Sequence, residues 1–273
     1  MSKMVSDELW TIILWTIIEP LLPPAKERRF RYAGRKPVDN RVALSAILFV
    51  LKSGIAWEDV PHEMGCCGMT AWKKLDEWQR CGVWQALHQV LLNKLQQGHQ
   101  LDWERASIDS SSVRASGGGE GVGPNPTDRA KGGTKHHAIV EGTGLPLVVK
   151  VTPANSNDIT QLKPLVEAIP AVQGKRGRPR RRPKKLLGDR GYDSEPHREW
   201  LRQQGITPLL ARRRTPHGSQ LGRYRWVVER FFSWIHDDRR LRVRDERLRH
   251  IHQAFLTLAA ALVCFATLSH SFV

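Results

Sequence analysis

Two rhythms of apolar and polar residues run along this chain, and they meet near residue 100. Before that point apolar side chains recur at the spacing of one helix face. Val42, Leu44, Ile47, Leu48 and Leu51 form such a face, and Gly54 follows in the position that ends many helices. Trp72, Leu75 and Trp78 form another between Ala71 and Arg80, with Thr70 as the expected cap and Gly82 as the stop. Val83 to Leu95 is a third, and a first helix opens at Ser6-Asp7 and is stopped by prolines between Pro20 and Pro24. From residue 104 the pattern changes to strands. Ala106 to Asp109, His136 to Val140 and Leu145 to Thr152 read as strands, the last two joined as a hairpin by Glu141-Gly-Thr-Gly144. A helix from about Ile159 to Ala168, a strand from Lys185 to Asp189, a helix from Glu195 to Gln204 and a strand from Ile206 to Leu210 follow. The order predicts an α/β fold, a mixed sheet flanked by helices, preceded by an all-α region. Residues 1–100 are expected to be a helical domain and residues 101–273 the sheet-containing one.

Three stretches depart from simple patterning. Arg225 to His236 is a strongly apolar helix in which Val227, Val228, Phe231, Phe232, Trp234 and Ile235 spread into a wide face. Arg225, Glu229, Ser233 and His236 line a narrow polar stripe, so Glu229 is expected to point inward, toward a partner such as Arg225 or toward a cation. Leu9-Trp-Thr-Ile-Ile13 is repeated at once as Leu14-Trp-Thr-Ile-Ile18. Five residues advance a helix by roughly 500°, so the copies are rotated by about 140° and cannot present one face to one groove. Ala254 to Leu268 is apolar but short of the roughly 20 residues a bilayer needs, which predicts a buried helix.

Charge narrows the partners. Forty-three Lys and Arg against 27 Asp and Glu give a net charge of +16, a field that attracts polyanions, nucleic acid first. Cys66, Cys67, Cys81 and Cys264 form no CxxC pair, so neither a zinc site nor a disulfide framework is supported, and a reducing cytoplasm fits. The apolar start lacks the features of an export signal, and no membrane role is expected. Arg28 to Lys36 is a basic loop, and Gly117 to Gly133 reads as a mobile Gly-rich segment. The helices around residue 70 suit a helix-turn-helix with Lys73 and Lys74 facing DNA, though a plain helical bundle with solvated lysines has the same pattern.

Two strands end in aspartate, Ile108-Asp109 and Leu187-Gly188-Asp189, and groups at strand ends gather in a common crevice. Glu229 adds a third carboxylate from a helix. Taken singly, each acid reads as a turn residue, a cap or an ion-pair member. Three brought together need a hard cation, and magnesium prefers oxygen ligands. Two such ions about 4 Å apart suit phosphodiester chemistry.

Asp109-Ser-Ser-Ser-Val-Arg-Ala, Gly188-Asp-Arg-Gly-Tyr-Asp-Ser194 and Arg225-Trp-Val-Val-Glu-Arg-Phe-Phe-Ser-Trp234 resemble the three acidic motifs of bacterial insertion-sequence transposases of the DDE class, specifically insertion-sequence family five. Lys131 to Lys135, Thr152 to Asp158 and the opening around Asp7 and Pro20 to Pro24 are similar to that family as well, so the resemblance covers nearly the whole chain. It implies an RNase H-like catalytic core behind a helical DNA-binding region. It also implies that Asp109, Asp189 and Glu229 hold magnesium, or manganese in its place, and that two subunits pair two element ends as a homodimer on double-stranded DNA. In the related Tyr-x2-Arg-x3-Glu-x6-Lys pattern Arg225 and Glu229 match. Gly222 stands in place of the tyrosine, with Tyr224 nearby, and His236 in place of the lysine. The resemblance then gives Arg225 and His236 DNA-contact roles, with an ion pair to Glu229 as the other reading of Arg225.

Lys175 to Lys185 is the densest basic run, and its Arg176-Gly-Arg-Pro179 core resembles an AT-hook that inserts arginines into a narrow A·T minor groove. The same residues, with Arg180, Arg181 and Arg182, also read as a polybasic loop that only raises phosphate affinity. His136, His137, His197 and His217 lack metal-binding spacing and are expected at the surface or facing DNA. Asp158 and Asp193 are the acids most easily mistaken for the triad, and Asp193 suits an N-cap. The expected activity is hydrolysis at element ends, followed by joining of the 3′-hydroxyl to target DNA, in a nucleoid-associated cytoplasmic protein. Two rivals stay open: an RNase H-like nuclease that cuts without joining, and a non-catalytic DNA-binding regulator that would need no magnesium.

Overall fold

In a computed structural model, residues 7–25, 36–214 and 222–270 are described. Ser6, the basic stretch over residues 28–35 and His217 lie outside the described residues. Four helices come first: α1 (Asp7–Ile18), α2 (Asn40–Ser53), α3 (Gly68–Arg80) and α4 (Val83–Gln97). Asp39 caps α2 by accepting from the Arg41 amide, and Gly54 closes it in a left-handed conformation, φ 72°, that a side chain would strain. Cys67, rather than Thr70, is the cap residue of α3, and Thr70 lies in its first turn, 3.1 Å from the Cys67 sulfur. The tandem copies in α1 behave as helix geometry requires: Ile13 is 41% exposed while Ile18, its counterpart in the second copy, is fully buried.

The strands and remaining helices are β1 (Ala106–Ala115), β2 (Gly123–Pro124), β3 (Gly132–Glu141), β4 (Pro146–Pro153), α5 (Ile159–Ala168), β5 (Lys185–Gly188), α6 (Glu195–Gln203), β6 (Thr207–Leu210), α7 (Gly222–His236), α8 (Arg239–Arg242), β7 (Val243–Arg244) and α9 (Arg249–His270). Three long antiparallel strands, β4-β3-β1, are continued by β5 and β6 parallel to β1. This order, with helices on both faces, is the RNase H-like arrangement. Here β5 pairs with β1 through Ala106 and Ser107 only, and β7 picks up the same edge at Arg114 and Ala115. Between those pairings no described strand covers β1, which leaves a notch beside Asp109.

The tight turn between β3 and β4 is organised by a buried acid. Glu141 accepts from the backbone amides of Asp102, Thr143 and Leu145 and from the Thr143 hydroxyl. Those bonds offset the burial that pushes its carboxyl up. The segment over 117–133 is not a free Gly-rich loop. It carries β2, and the fully buried Arg244 side chain donates to the carbonyls of Glu120 and Gly121 and to that of Glu246. An arginine in the core with its fork on backbone carbonyls ties this segment to the chain before α9.

One continuous apolar core runs from Leu14 and Ile18 through α2, α3 and α4 to the sheet and α9. Helix α9, at 22 residues longer than its apolar stretch suggested, is long and apolar enough to cross a bilayer by length and composition. It is instead buried against α4, α3 and β4. His88 of α4 adds a buried hydrogen bond to the Pro146 carbonyl, 2.9 Å, so the first helices and the sheet share an interior.

Candidate functional site

Asp109 and Asp189 come together because β1 and β5 run in parallel and each turns acidic at the same level. Gly188 allows the close approach, since a β-carbon there would lie 2.8 Å from Leu210 Cδ2 and 3.2 Å from Ile108 Cγ2. Asp189 then accepts from the Gly191 amide at 2.8 Å and opens a one-turn 3-10 helix, Arg190–Tyr192. The side chain of Asp109 is 20% exposed, and burial pushes its carboxyl up to about 6. Arg225 and the Ser110 amide pull it down, while the charges of Asp189 and Asp158 add to the rise. Arg225 Nη2 stands 2.9 Å from Asp109 Oδ2. Among the described residues the ion pair of Arg225 is therefore with Asp109, not with Glu229 as its alternative reading had it.

Helix α7 presents its faces differently from the sequence reading. Val227, Val228, Phe231, Phe232 and Ile235 are buried, but Trp226 and Trp234 are 49% and 39% exposed, and Glu229 is exposed rather than inward. The reason is Arg230, whose guanidinium lies between the two indoles, 4.4 and 4.6 Å from their centres, and donates to the Thr143 carbonyl. That Trp-Arg-Trp stack takes the turn of helix next to Glu229 and leaves the carboxylate on the solvent side. Tyr224, 41% exposed, lies under the Arg105 guanidinium.

The histidines are also corrected. His136 and His137 are fully buried, not surface or DNA-facing. His136 Nε2 meets His252 Nε2 at 2.8 Å, and His236 Nε2 lies 3.4 Å from His136 Nδ1, so three imidazoles run from the α7 face into the core. Burial lowers His236 and, more strongly, His136, while His252 falls to about 3. His137 bonds the Thr152 hydroxyl at 2.7 Å. Asp193 is not the N-cap of α6, a position Ser194 holds; it closes the 3-10 turn Arg190–Tyr192, and its carboxylate accepts from Arg198 and from the Arg213 amide.

Around the two aspartates the site is polar and incompletely satisfied. The Tyr192 hydroxyl is buried with no hydrogen-bond partner among the described residues, and burial with the charges of Asp109, Asp158 and Asp189 raises it well above an ordinary phenol. Ser110 Oγ donates to Asp158 at 2.8 Å, and Lys135 Nζ lies 2.9 Å from the same oxygen. Among the described residues no three acidic, imidazole or thiol groups converge closely enough to hold a metal ion. The donor chemistry nevertheless suits a hard cation: two neighbouring carboxylates, one kept reluctant to ionise by burial, with an orphaned hydroxyl beside them. Asp109 and Asp189 are the pair that could hold it, and the exposed Glu229 is free of the packing that would fix its rotamer.

Most of the basic residues expected to meet DNA are outward. Lys73 is exposed, whereas Lys74 is half-buried against Glu77 at 3.0 Å. Arg176, Arg178, Arg180, Arg181 and Arg182 are all exposed. Their loop is fastened at its base by a backbone bridge between Val172 and Arg180 and by Gln89 and Asn93 of α4.

Residues 104–264 match the family described as "Transposase DDE domain", and residues 5–88 match a family grouped with the IS4/5 transposases. The transposase assigned to insertion sequence element IS402 of Burkholderia cepacia is 56% identical over 147 residues, 54% of this chain and 70% of that one. The transposase of element IS1106 of Neisseria meningitidis serogroup B is 29% identical over 114 residues, 38% of this chain and 36% of that one. Among solved structures, a pre-cleavage Mos1 transpososome aligns over 89% of this chain and 82% of that one, with 11% identity and a TM-score of 0.27.

Proposed function

The chain belongs to the DDE transposases of insertion sequences, and from that premise we propose that it binds the ends of its own element, hydrolyses a phosphodiester there and joins the freed 3′-hydroxyl to target DNA. The observation that carries this reading is the meeting of Asp109, inside β1 rather than at the strand end the sequence suggested, with Asp189 at the end of β5, and with Arg225 of α7 on Asp109. Asp109, Asp189 and Glu229 form the triad that holds magnesium, or manganese in its place, and Glu229 swings in from the solvent side of α7. Bound there, the metal would supply the positive charge that lets the carboxylates ionise together and would activate the attacking oxygen. Arg225 holds the Asp109 carboxylate in place and neutralises charge on the DNA phosphate. The Asp109 carboxyl gives up its proton as pH rises past about 6 or as a cation approaches.

Residues 1–100, with Lys73 and Lys74, act as the DNA-gripping part, and residues 101–273 as the cutting part. The exposed Arg176, Arg178, Arg180, Arg181 and Arg182 add phosphate contacts. The DNA-contact role of His236 rests on the family pattern, for its ring packs against His136 and Phe232. Two copies pair two ends as a homodimer, and the protein works in the cytoplasm, on the nucleoid. The test is cleavage of a duplex carrying the element's terminal repeat in Mg2+, followed by a strand-transfer assay. Asp109→Asn, Asp189→Asn and Glu229→Gln should each lower cutting by roughly a hundredfold or more; a variant that cuts at the parent rate removes its residue from the triad. Cutting without joining would leave a nuclease.

A further inference from the structure

Lys135 is the second fixed cation of this site, and it comes from the other side of the sheet. In the β1–β3 register Ser110 faces His137 and Ser112 faces Lys135, so these four side chains share one face. Asp109 and His136 project from the opposite face, toward α7, which is why Arg225 reaches Asp109 and His236 reaches His136. Two cations thus flank the uncovered stretch of β1: Arg225 on one face and Lys135 on the other.

The lysine is held rather than loose. Its side chain is 14% exposed, and Nζ donates to Asp158 Oδ1 and to the Ser156 carbonyl, each at 2.9 Å. An ammonium has three donors, and these contacts use two. Asp158 is itself oriented by Ser110 Oγ at 2.8 Å, one residue along from Asp109, and its charge is felt at both Asp109 and Tyr192. The arrangement places a pre-positioned positive charge at the edge of the notch, aimed by groups that are anchored next to the Asp109–Asp189 pair. A half-buried pair of this kind adds little to stability by itself, because desolvation consumes most of the attraction. Its useful property is geometric: one remaining N–H of a fixed ammonium is suited to a phosphate oxygen.

We infer that Lys135 contacts a phosphate of the DNA strand lying in the notch beside Asp109, opposite Arg225, with Asp158 holding it for that purpose. The inference rests on the proposed reading of Asp109 and Asp189 as the cutting site. Lys135→Gln and Lys135→Arg are compared with the parent protein in two measurements on a labelled duplex carrying the terminal repeat. The first is binding in Ca2+, read as the slope of log Kd against log salt concentration. The second is cutting in Mg2+ at saturating DNA. Lys135→Gln should lower the salt slope by about one, the loss of one phosphate contact. It should also slow cutting at saturating DNA by roughly tenfold, with Lys135→Arg recovering most of both and the thermal midpoint of either variant close to the parent. An unchanged salt slope in a folded Lys135→Gln protein overturns the inference, as does a slowed reaction that Arg fails to restore. If the parent binds the duplex and never cuts it, the catalytic reading fails by itself, and the slope change still decides whether Lys135 touches phosphate.

Discussion

Arg225 Nη2 and Asp109 Oδ2 are 2.9 Å apart across 116 residues of sequence, and this contact joins α7 to β1 at the point where the chemistry is proposed. Because Arg225 is the largest influence holding the Asp109 carboxyl down against burial, Arg225→Met should move that group above about 6. The ionised carboxylate is the form that holds metal. The acid limb of the cutting rate should therefore shift to higher pH in Arg225→Met, while Arg225→Lys should keep part of the original profile. A pH–rate series from 5 to about 9 reads this directly, and coincident limbs would show that the guanidinium does not govern Asp109.

Between pH 7 and 5, acid should destabilise the fold through buried histidines. Burial lowers His88 and His137 to about 4 and His252 to about 3. An unfolded imidazole takes a proton near pH 6.5, so below that value the unfolded chain binds protons the folded one refuses. Their contribution is complete above about 6.5 and is lost as pH falls toward 4, at about 1.4 kcal/mol per pH unit for each such group. Urea denaturation between pH 7 and 5 should show a steep loss, and His88→Phe should make the slope shallower by one histidine's share.

Arg244→Met should cost roughly 3 kcal/mol, because carbonyls of Glu120, Gly121 and Glu246 lose a buried charged donor that no aliphatic group replaces. The segment over 117–122 would open with it. Hydrogen exchange should speed up there before it does in the strands.

Arg180, Arg181 and Arg182 replaced together by Ser should lower the salt slope of DNA binding by about three, since each exposed guanidinium neutralises one phosphate at most. Arg178→Ala discriminates the two readings of the loop. A changed preference for A·T-rich duplexes supports minor-groove insertion, and equal weakening on every sequence leaves a polybasic loop.

The elements were readable because their signals are local. Valine-rich runs mark the β3–β4 hairpin, and Asp189 ends a run whose strand character is visible without partners, whereas β1 continues past Asp109 to Ala115 because β3 pairs with it as far as Arg114. What escaped depends on contacts between distant residues. In α7 an aromatic reads as core at any position, and only the intercalation of Arg230 explains why Trp226 and Trp234 face out and Glu229 with them. His136 and His137 look polar in sequence and are buried because His252 and Thr152 answer their ring nitrogens from elements 116 and 15 residues away. A Gly-rich segment reads as loose until an arginine more than 120 residues later is found holding its carbonyls.

The shared interior of α4, α9 and β4 bears on how such an enzyme measures distance. Since α9 packs against both the first helices and the sheet, the described residues of the two halves share one packed interior. If the first helices grip DNA as proposed, the duplex would meet Asp109 at a spacing set by side-chain packing in that interior. The position of the cut, relative to the sequence gripped, would be a property of the hydrophobic core, and a change in the volume of a residue such as Leu92 or Phe255 could shift it without touching DNA.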